Sequence, residues 1–154
     1  MQDKTNNVFT EIEINATPEQ VWSVLTDWKK LPEWSSSLQG ISTDGLKKGD
    51  ISKAYFKNPI TGNNIEFEHE ITDYEEGVKF GWSGKVIGSV KDHHIYSLEG
   101  TEQGTTIFRQ EDGFHSENSH GRLMNFIAKH GITSAYNQFN RELKERVESL
   151  YPTS

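Results

Sequence analysis

Between Leu38 and Phe114 apolar and polar residues alternate, and this constrains the fold more than any other feature of the chain. Ile65, Phe67, His69 and Ile71 fall on one side of an extended segment, and Glu66, Glu68 and Glu70 fall on the other. Val78, Phe80, Trp82, Gly84 and Val86 form the next row, with Lys79 and Lys85 facing away. His94, Tyr96 and Leu98 make a third row, and Phe108, Gln110, Asp112 and Phe114 a fourth. Successive side chains of a strand point to opposite faces, so each segment reads as a strand with one covered and one wetted face. Gly40, Gly45, Gly49, Gly62, Gly77, Gly88 and Gly104 punctuate the run at the spacing of antiparallel hairpins. The expectation is about six strands here, in a sheet packed on one side only.

Both ends of the chain add to this sheet. Val8, Thr10, Ile12 and Ile14 oppose Glu11 and Glu13, which predicts a further strand over Val8 to Asn15. Thr17, Pro18 and Gln20 then carry the signature of a capped helix start, and Val21, Trp22, Val24 and Leu25 supply its apolar face to about Asp27. Pro32 breaks the chain between Trp28 and Trp34. From about Asn118 to Leu150 the apolar residues Met124, Ile127, Ala128, Ile132, Ala135, Phe139, Leu143, Val147 and Leu150 recur at near-helical spacing, with Gly131 as a point of weakness. This helix is the natural cover for the sheet. The fold class is α+β, with one or two short helices after the first strand and the last helix lying across the sheet.

Composition matters because the core must be filled. Leu, Ile, Val and Phe together number 35 of 154 residues, a low share for a globular chain. Seventeen aromatic residues compensate, since each buries a large area. They either fill a dense core or line a hollow one. Residues 1–154 have the length of one domain. No run approaches the ~18 apolar residues of a membrane helix. The start has no secretion signal, so the expectation is a cytoplasmic protein without stable membrane insertion. With no cysteine, disulfide scaffolds, thiolate zinc sites and cysteine nucleophiles are excluded. A net charge of −7 argues against nucleic-acid binding. There is no nucleophile elbow, P-loop or dinucleotide fingerprint, and no cofactor is expected. Oligomeric state is not legible.

Several stretches resemble a known superfamily. Ile12-x-Ile14-x-Ala16-Thr17-Pro18-Glu19-Gln20-Val21-Trp22-x-Val24-Leu25-Thr26-Asp27-Trp28 is similar to the opening of START-like, or SRPBCC, proteins, and Leu31-Pro32-Glu33-Trp34 to the turn that follows. His94-x-Tyr96-x-Leu98 with Gly104-Thr105-Thr106-x-Phe108-x-Gln110-x-Asp112-x-Phe114 resembles the superfamily's late hairpin. Phe139-Asn140-x-Glu142-Leu143-Lys144-x-x-Val147-Glu148 resembles its closing helix. Ser35-Ser36, Asp112 and Ser116 depart from the commoner Asn-Pro, Glu and Gly. The resemblance implies a helix-grip fold, in which a curved sheet of about seven strands wraps a long C-terminal helix around a cavity. It groups the chain with polyketide cyclase/dehydrase-like proteins, pollen-allergen-like proteins and chaperone activators. It also implies that Trp34 and Phe126 sit near the cavity mouth.

Candidate site residues follow from phasing the strands. A turn centred near Glu102 puts His94 across from Gln110 and Tyr96 across from Phe108, with Asp112 diagonal to His94. The other turns place His69 near Trp82, Trp82 near Tyr96 and Gly84 near His94. His69, His94, Gln110 and Asp112 then form a polar belt among Phe67, Phe80, Trp82, Tyr96, Phe108 and Phe114. Two readings compete: a pocket whose polar groups orient a ligand, or core polar groups satisfied by each other and by buried water. Gly84 either leaves room for a ligand or relieves strand curvature. His94 and Asp112 are the candidate catalytic pair, the carboxylate raising the imidazole pKa. His130 could cap the pocket from the helix. No metal site is expected, because His93 and His94 point to opposite faces and the spacing of His115, Glu117 and His120 matches no zinc motif.

The function expected from all this is binding of a hydrophobic or amphipathic small molecule, lipid-like, aromatic or polyketide-like. The alternatives are a cyclase or dehydratase acting in the same cavity, and a chaperone-activator-like interaction module. Ligand quenching without conversion marks the first, conversion the second, and an exposed apolar patch over a filled cavity the third.

Overall fold

The alternating rows become seven antiparallel strands in one curled sheet, in the order β1-β7-β6-β5-β4-β3-β2. The strands are β1 (Asn7–Ile14), β2 (Leu38–Ile41), β3 (Ile51–Lys57), β4 (Asn64–Glu75), β5 (Lys79–Ile87), β6 (Val90–Gly100) and β7 (Thr106–His115). The computed structural model describes residues 7–43, 45–87, 90–115 and 119–153, and side chains are described for all of these except 87, 119–128 and 130. A short helix α1 (Pro18–Leu25), a 3-10 turn (Trp28–Glu33) and the 32-residue helix α2 (Ser119–Leu150) complete the set.

Local chemistry explains the boundaries. Gln20 N–H donates to the Thr17 hydroxyl at 3.3 Å while the Gln20 side chain accepts from Thr17 N–H at 3.0 Å, a reciprocal capping box that starts α1. Pro32 sits inside the 3-10 turn instead of ending it. Helix α2 continues through Gly131, which has open space around it.

Burial follows the covered face. Phe80, Phe108, Leu25, Leu31, Leu143 and Val147 are fully buried between the sheet, α1 and α2. Ile65 and Val78 are exceptions and lie exposed, Val78 because it belongs to the turn before β5. On α2 the inward stripe runs through Ile132, Tyr136, Phe139, Asn140, Leu143 and Val147, whereas Ala135 and Leu150 face water. The expected stripe thus erred at Ala135, whose neighbour Tyr136 points inward, and at Leu150, the last residue of the helix. Met124, Ile127 and Ala128 lie outside the residues whose side chains are described.

Candidate functional site

The strand register sets which side chains meet. His94 lies directly across from Asp112, Tyr96 from Gln110 and Leu98 from Phe108. The expected pairs His94–Gln110 and Tyr96–Phe108 are therefore shifted by two residues. The cause is the loop between β6 and β7, where Gly104 takes φ 82° and Thr101 N–H reaches back to Thr105 O, so the turn centres one residue later. On the other side Trp82 pairs with His94 and Phe80 with Tyr96, and His69 pairs with Gly84. That offset comes from the β4–β5 turn, which centres on Gly77 with Glu75 across from Lys79, and a bulge at Thr72 takes one residue of it back. The His69 and Trp82 rings still stack diagonally, 4.5 Å apart at 15°.

Between the sheet and α2 lies a cavity of about 250 Å³. Phe56, Phe67, Trp82, Val86, Phe114 and Ile132 provide its apolar wall, and Glu68, His69, Lys85, Asp92, His94 and Tyr136 its polar one. Of the residues singled out from the sequence, the cavity brings together Phe67, His69, Trp82, His94 and Phe114. Phe80, Tyr96 and Phe108 instead pack into the continuous core with Phe139, because they lie toward the end of the sheet that α1 covers. Gln110 and Asp112 are buried behind the cavity wall. Trp34 lies away from it, its ring 5.2 Å from that of Phe139, because the segment after the 3-10 turn is held to α2 by Ser36 N–H and Glu142. The side chains of His120, Phe126 and His130, all on α2, and residue Glu117 lie outside those described. Gly84 does line the cavity, but a Cβ there would sit 2.6 Å from the Glu68 carbonyl oxygen, so strand approach demands the glycine.

A chain of hydrogen bonds orients His94. Gln110 Nε2 donates to the Tyr136 backbone carbonyl at 3.3 Å and to Asn140 Oδ1 at 2.7 Å. A carbonyl only accepts, so Gln110 Oε1 must be the atom that meets His94 Nε2 at 2.8 Å, and Nε2 carries the proton. Asn140 Nδ2 continues the chain to the Thr10 hydroxyl at 3.0 Å. The imidazole is stacked between Tyr96 at 4.2 Å and Tyr136 at 4.6 Å. Its Nδ1 faces Asp112 Oδ2 at 3.6 Å, and the Tyr136 hydroxyl donates to that same oxygen. His69 Nε2 meets the Ser52 hydroxyl at 2.9 Å.

Burial dominates the protonation of this cluster. It pushes His94 down to about 3 and His69 down to about 4. The expectation that Asp112 raises the His94 pKa fails, because the site is too dry for a charged imidazole. Burial lifts Asp92 to about 6, against the pull of the Gly84 N–H. It lifts Asp112 well above the ordinary carboxylate range, helped by the Asp92 charge and opposed by the Tyr136 hydrogen bond. Tyr136 is raised by burial and by Asp112.

Ser52, Asp92, Tyr136 and Asn140 were not anticipated as site residues. Asp92 was legible, since it sits two residues before His94 on the same face of β6. Tyr136 had only helical spacing to mark it, which Ala135 met almost as well.

The sequence model of the family described as "Polyketide cyclase / dehydrase and lipid transport" matches residues 6–148. The chain belongs to that family. No curated protein matches it. Among solved structures, this family member is similar to a START superfamily protein from Mycobacterium smegmatis, with TM-score 0.69 at 16% identity over 94% of this chain and 98% of that one. DynU16 from the dynemicin biosynthetic locus aligns with TM-score 0.72 at 15% identity over 96% of this chain and 49% of its own length. A protein of unknown function from Staphylococcus aureus aligns with TM-score 0.67 at 12% identity over 96% and 97% of the two chains. Likeness at such identities is one of fold, and the fold is the helix-grip of the START/SRPBCC group. Among the described residues no helix is long and apolar enough to cross a membrane.

Proposed function

We propose that residues 1–154 act as one domain that binds a small amphipathic molecule in the cavity between the sheet and α2. The observation that carries this reading is the cavity itself: aromatic walls on one side, and His69 and His94 fixed by hydrogen bonds on the other. Pockets for drug-sized ligands run from about 300 to 1,000 Å³, so about 250 Å³ suits a ligand of one or two rings. Trp82, Phe67 and Phe114 supply stacking area, and the neutral imidazoles orient a hydroxyl or carbonyl of the ligand. The test is calorimetric titration with 2-naphthol, beside native mass spectrometry of freshly purified protein. Saturable one-to-one binding, weakened at least tenfold by Ile132→Trp with an unchanged melting curve, supports the reading. Absence of saturation with 2-naphthol and with other one- and two-ring probes, and no co-purified molecule, would sink it.

A second reading has its own observation. Tyr136, Asp112 and His94 share one hydrogen-bonded cluster beside the cavity, and acid–base conversion of the bound molecule by His94 and Asp112 is the chemistry such a cluster supports. Turnover abolished by His94→Ala and by Asp112→Ala, with ligand affinity retained, would separate this from binding alone.

A further inference from the structure

The hydrogen-bond chain that places the His94 proton on Nε2 leaves the Nδ1 lone pair pointing at Asp112 and Tyr136. Tyr136 has one hydroxyl proton for two acceptors, His94 Nδ1 and Asp112 Oδ2, the latter being the shorter contact. His94 is 3% exposed, so when that proton lies on Asp112 the buried Nδ1 lone pair has only the hydroxyl oxygen beside it. Independently, Asp112 Oδ1 is buried without any hydrogen-bond partner among the described residues. Asp92, two residues along β6, brings a second carboxylate whose Oδ1 takes one hydrogen bond, from Gly84 N–H at 2.9 Å. One ligand atom from each of Asp92, His94 and Asp112 lies within 4.8 Å of the others. No cationic side chain among the described residues bonds either carboxylate. Two carboxylates and an imidazole nitrogen thus converge where no described Lys or Arg pairs with them, although Lys85 lines the same cavity.

A divalent cation answers every one of these deficits. Bonds of about 2.0–2.2 Å to nitrogen and oxygen need only a modest closing of the three side chains. The surroundings already have the form that supports metal ligands: His94 donates its other ring N–H to the Gln110 amide oxygen, and Tyr136 donates to Asp112. One imidazole with two carboxylates, and no sulfur, favours borderline to hard ions over soft ones. We propose that Asp92, His94 and Asp112 form a binding site for a divalent first-row transition-metal ion, Zn²⁺ or Mn²⁺ in type, with its open coordination positions facing the aromatic cavity. Asp92 and His94 both line that cavity, so the ion would meet a ligand's oxygen there. The sequence hides the site because its donors come from neighbouring strands, eighteen residues apart across the β6–β7 pair.

The test uses the full chain stripped with a chelator and titrated with Zn²⁺ alone by calorimetry, with Co²⁺ absorption as a spectroscopic check. One ion per chain is expected. Asp112→Asn and Asp92→Asn should each weaken binding at least tenfold and abolish the Co²⁺ visible bands, while His115→Gln changes neither. Asp92 is at the cavity wall, so its variant serves if Asp112→Asn fails to fold. Absence of saturable Zn²⁺ binding overturns the proposal, because a proton on Asp112 then fills the role of the ion. Binding that survives both aspartate changes overturns it as well, by placing the ion elsewhere. No organic ligand enters the experiment, so this proposal and the cavity reading can fail separately.

Discussion

The two ends of the sheet–helix interface are built from different materials. At one end α1 and the 3-10 turn push Val21, Leu25 and Leu31 into the space between sheet and helix, and Phe80, Phe108, Leu143 and Val147 pack with them into one buried cluster. Among the described residues no short helix enters the space at the other end. There the sheet presents His69, Asp92, His94 and Asp112, and a cavity remains. The same curled sheet and the same α2 serve both ends. The hollow is thus set by where α1 and the 3-10 turn lie, and its polar residues, though buried, are satisfied mainly by one another: His69 by Ser52, His94 by Gln110 and Asp112 by Tyr136.

The largest effect that tests this contrast is a truncation at each end of α2. Leu143→Ala at the dry end leaves a void and is expected to cost about 2–5 kcal/mol. Ile132→Ala at the cavity wall only widens an existing space and should cost under about 1 kcal/mol. Equal losses in urea denaturation would break the distinction between the two ends.

Next in size is a pH effect from the hollow end. His69 is held near pKa 4 in the folded chain, against about 6.5 unfolded. Between those values the unfolded chain binds the extra proton, so stability present above pH 6.5 is lost as pH falls toward 4. The depth is on the order of 3 kcal/mol. Asp92 works in the opposite sense, because its raised pKa lets the folded chain keep a proton up to about pH 6, so its contribution is lost as pH rises from about 4 to 6. The His69 part is therefore read as a difference: wild type should lose more stability than His69→Gln between pH 7 and 4. Superimposable curves would show that His69 is not kept neutral by burial.

A smaller pair of effects sharpens the picture of the hollow end. Gly84→Ala drives a Cβ to within 2.6 Å of the Glu68 carbonyl oxygen and should destabilise by about 1–3 kcal/mol. Gly131→Ala meets open space on α2 and should stabilise by up to about 1 kcal/mol. Thermal melts of the two variants moving in the same direction would contradict the placement of both glycines.

Much of the architecture was legible in the sequence, and the reason is geometric. Burying one face of a sheet forces a period of two, and Phe67, His69 and Ile71 display it directly. The capping box at Thr17 and Gln20 is likewise a local signal. Register was less legible. It depends on where a turn centres, and Gly104 marks a turn without saying how many residues lie on each side of it. The rotation of α2 was harder still. Ala135 and Tyr136 both fit a helical stripe, and only the curl of the sheet decides that Tyr136 reaches Asp112. The cavity wall was read in part for the same reason. Phase along one strand places His69, Trp82 and His94, but which end of each row is filled by α1 is a matter of tertiary packing.

The stacking of His94 between Tyr96 and Tyr136 has a kinetic consequence. A ring clamped on both flat faces sweeps out volume when it turns over, and one of its two clamps rides on α2. Turnover of the imidazole therefore requires Tyr96 or Tyr136 to yield, so its two nitrogens keep their separate partners, Gln110 on one side and Asp112 with Tyr136 on the other.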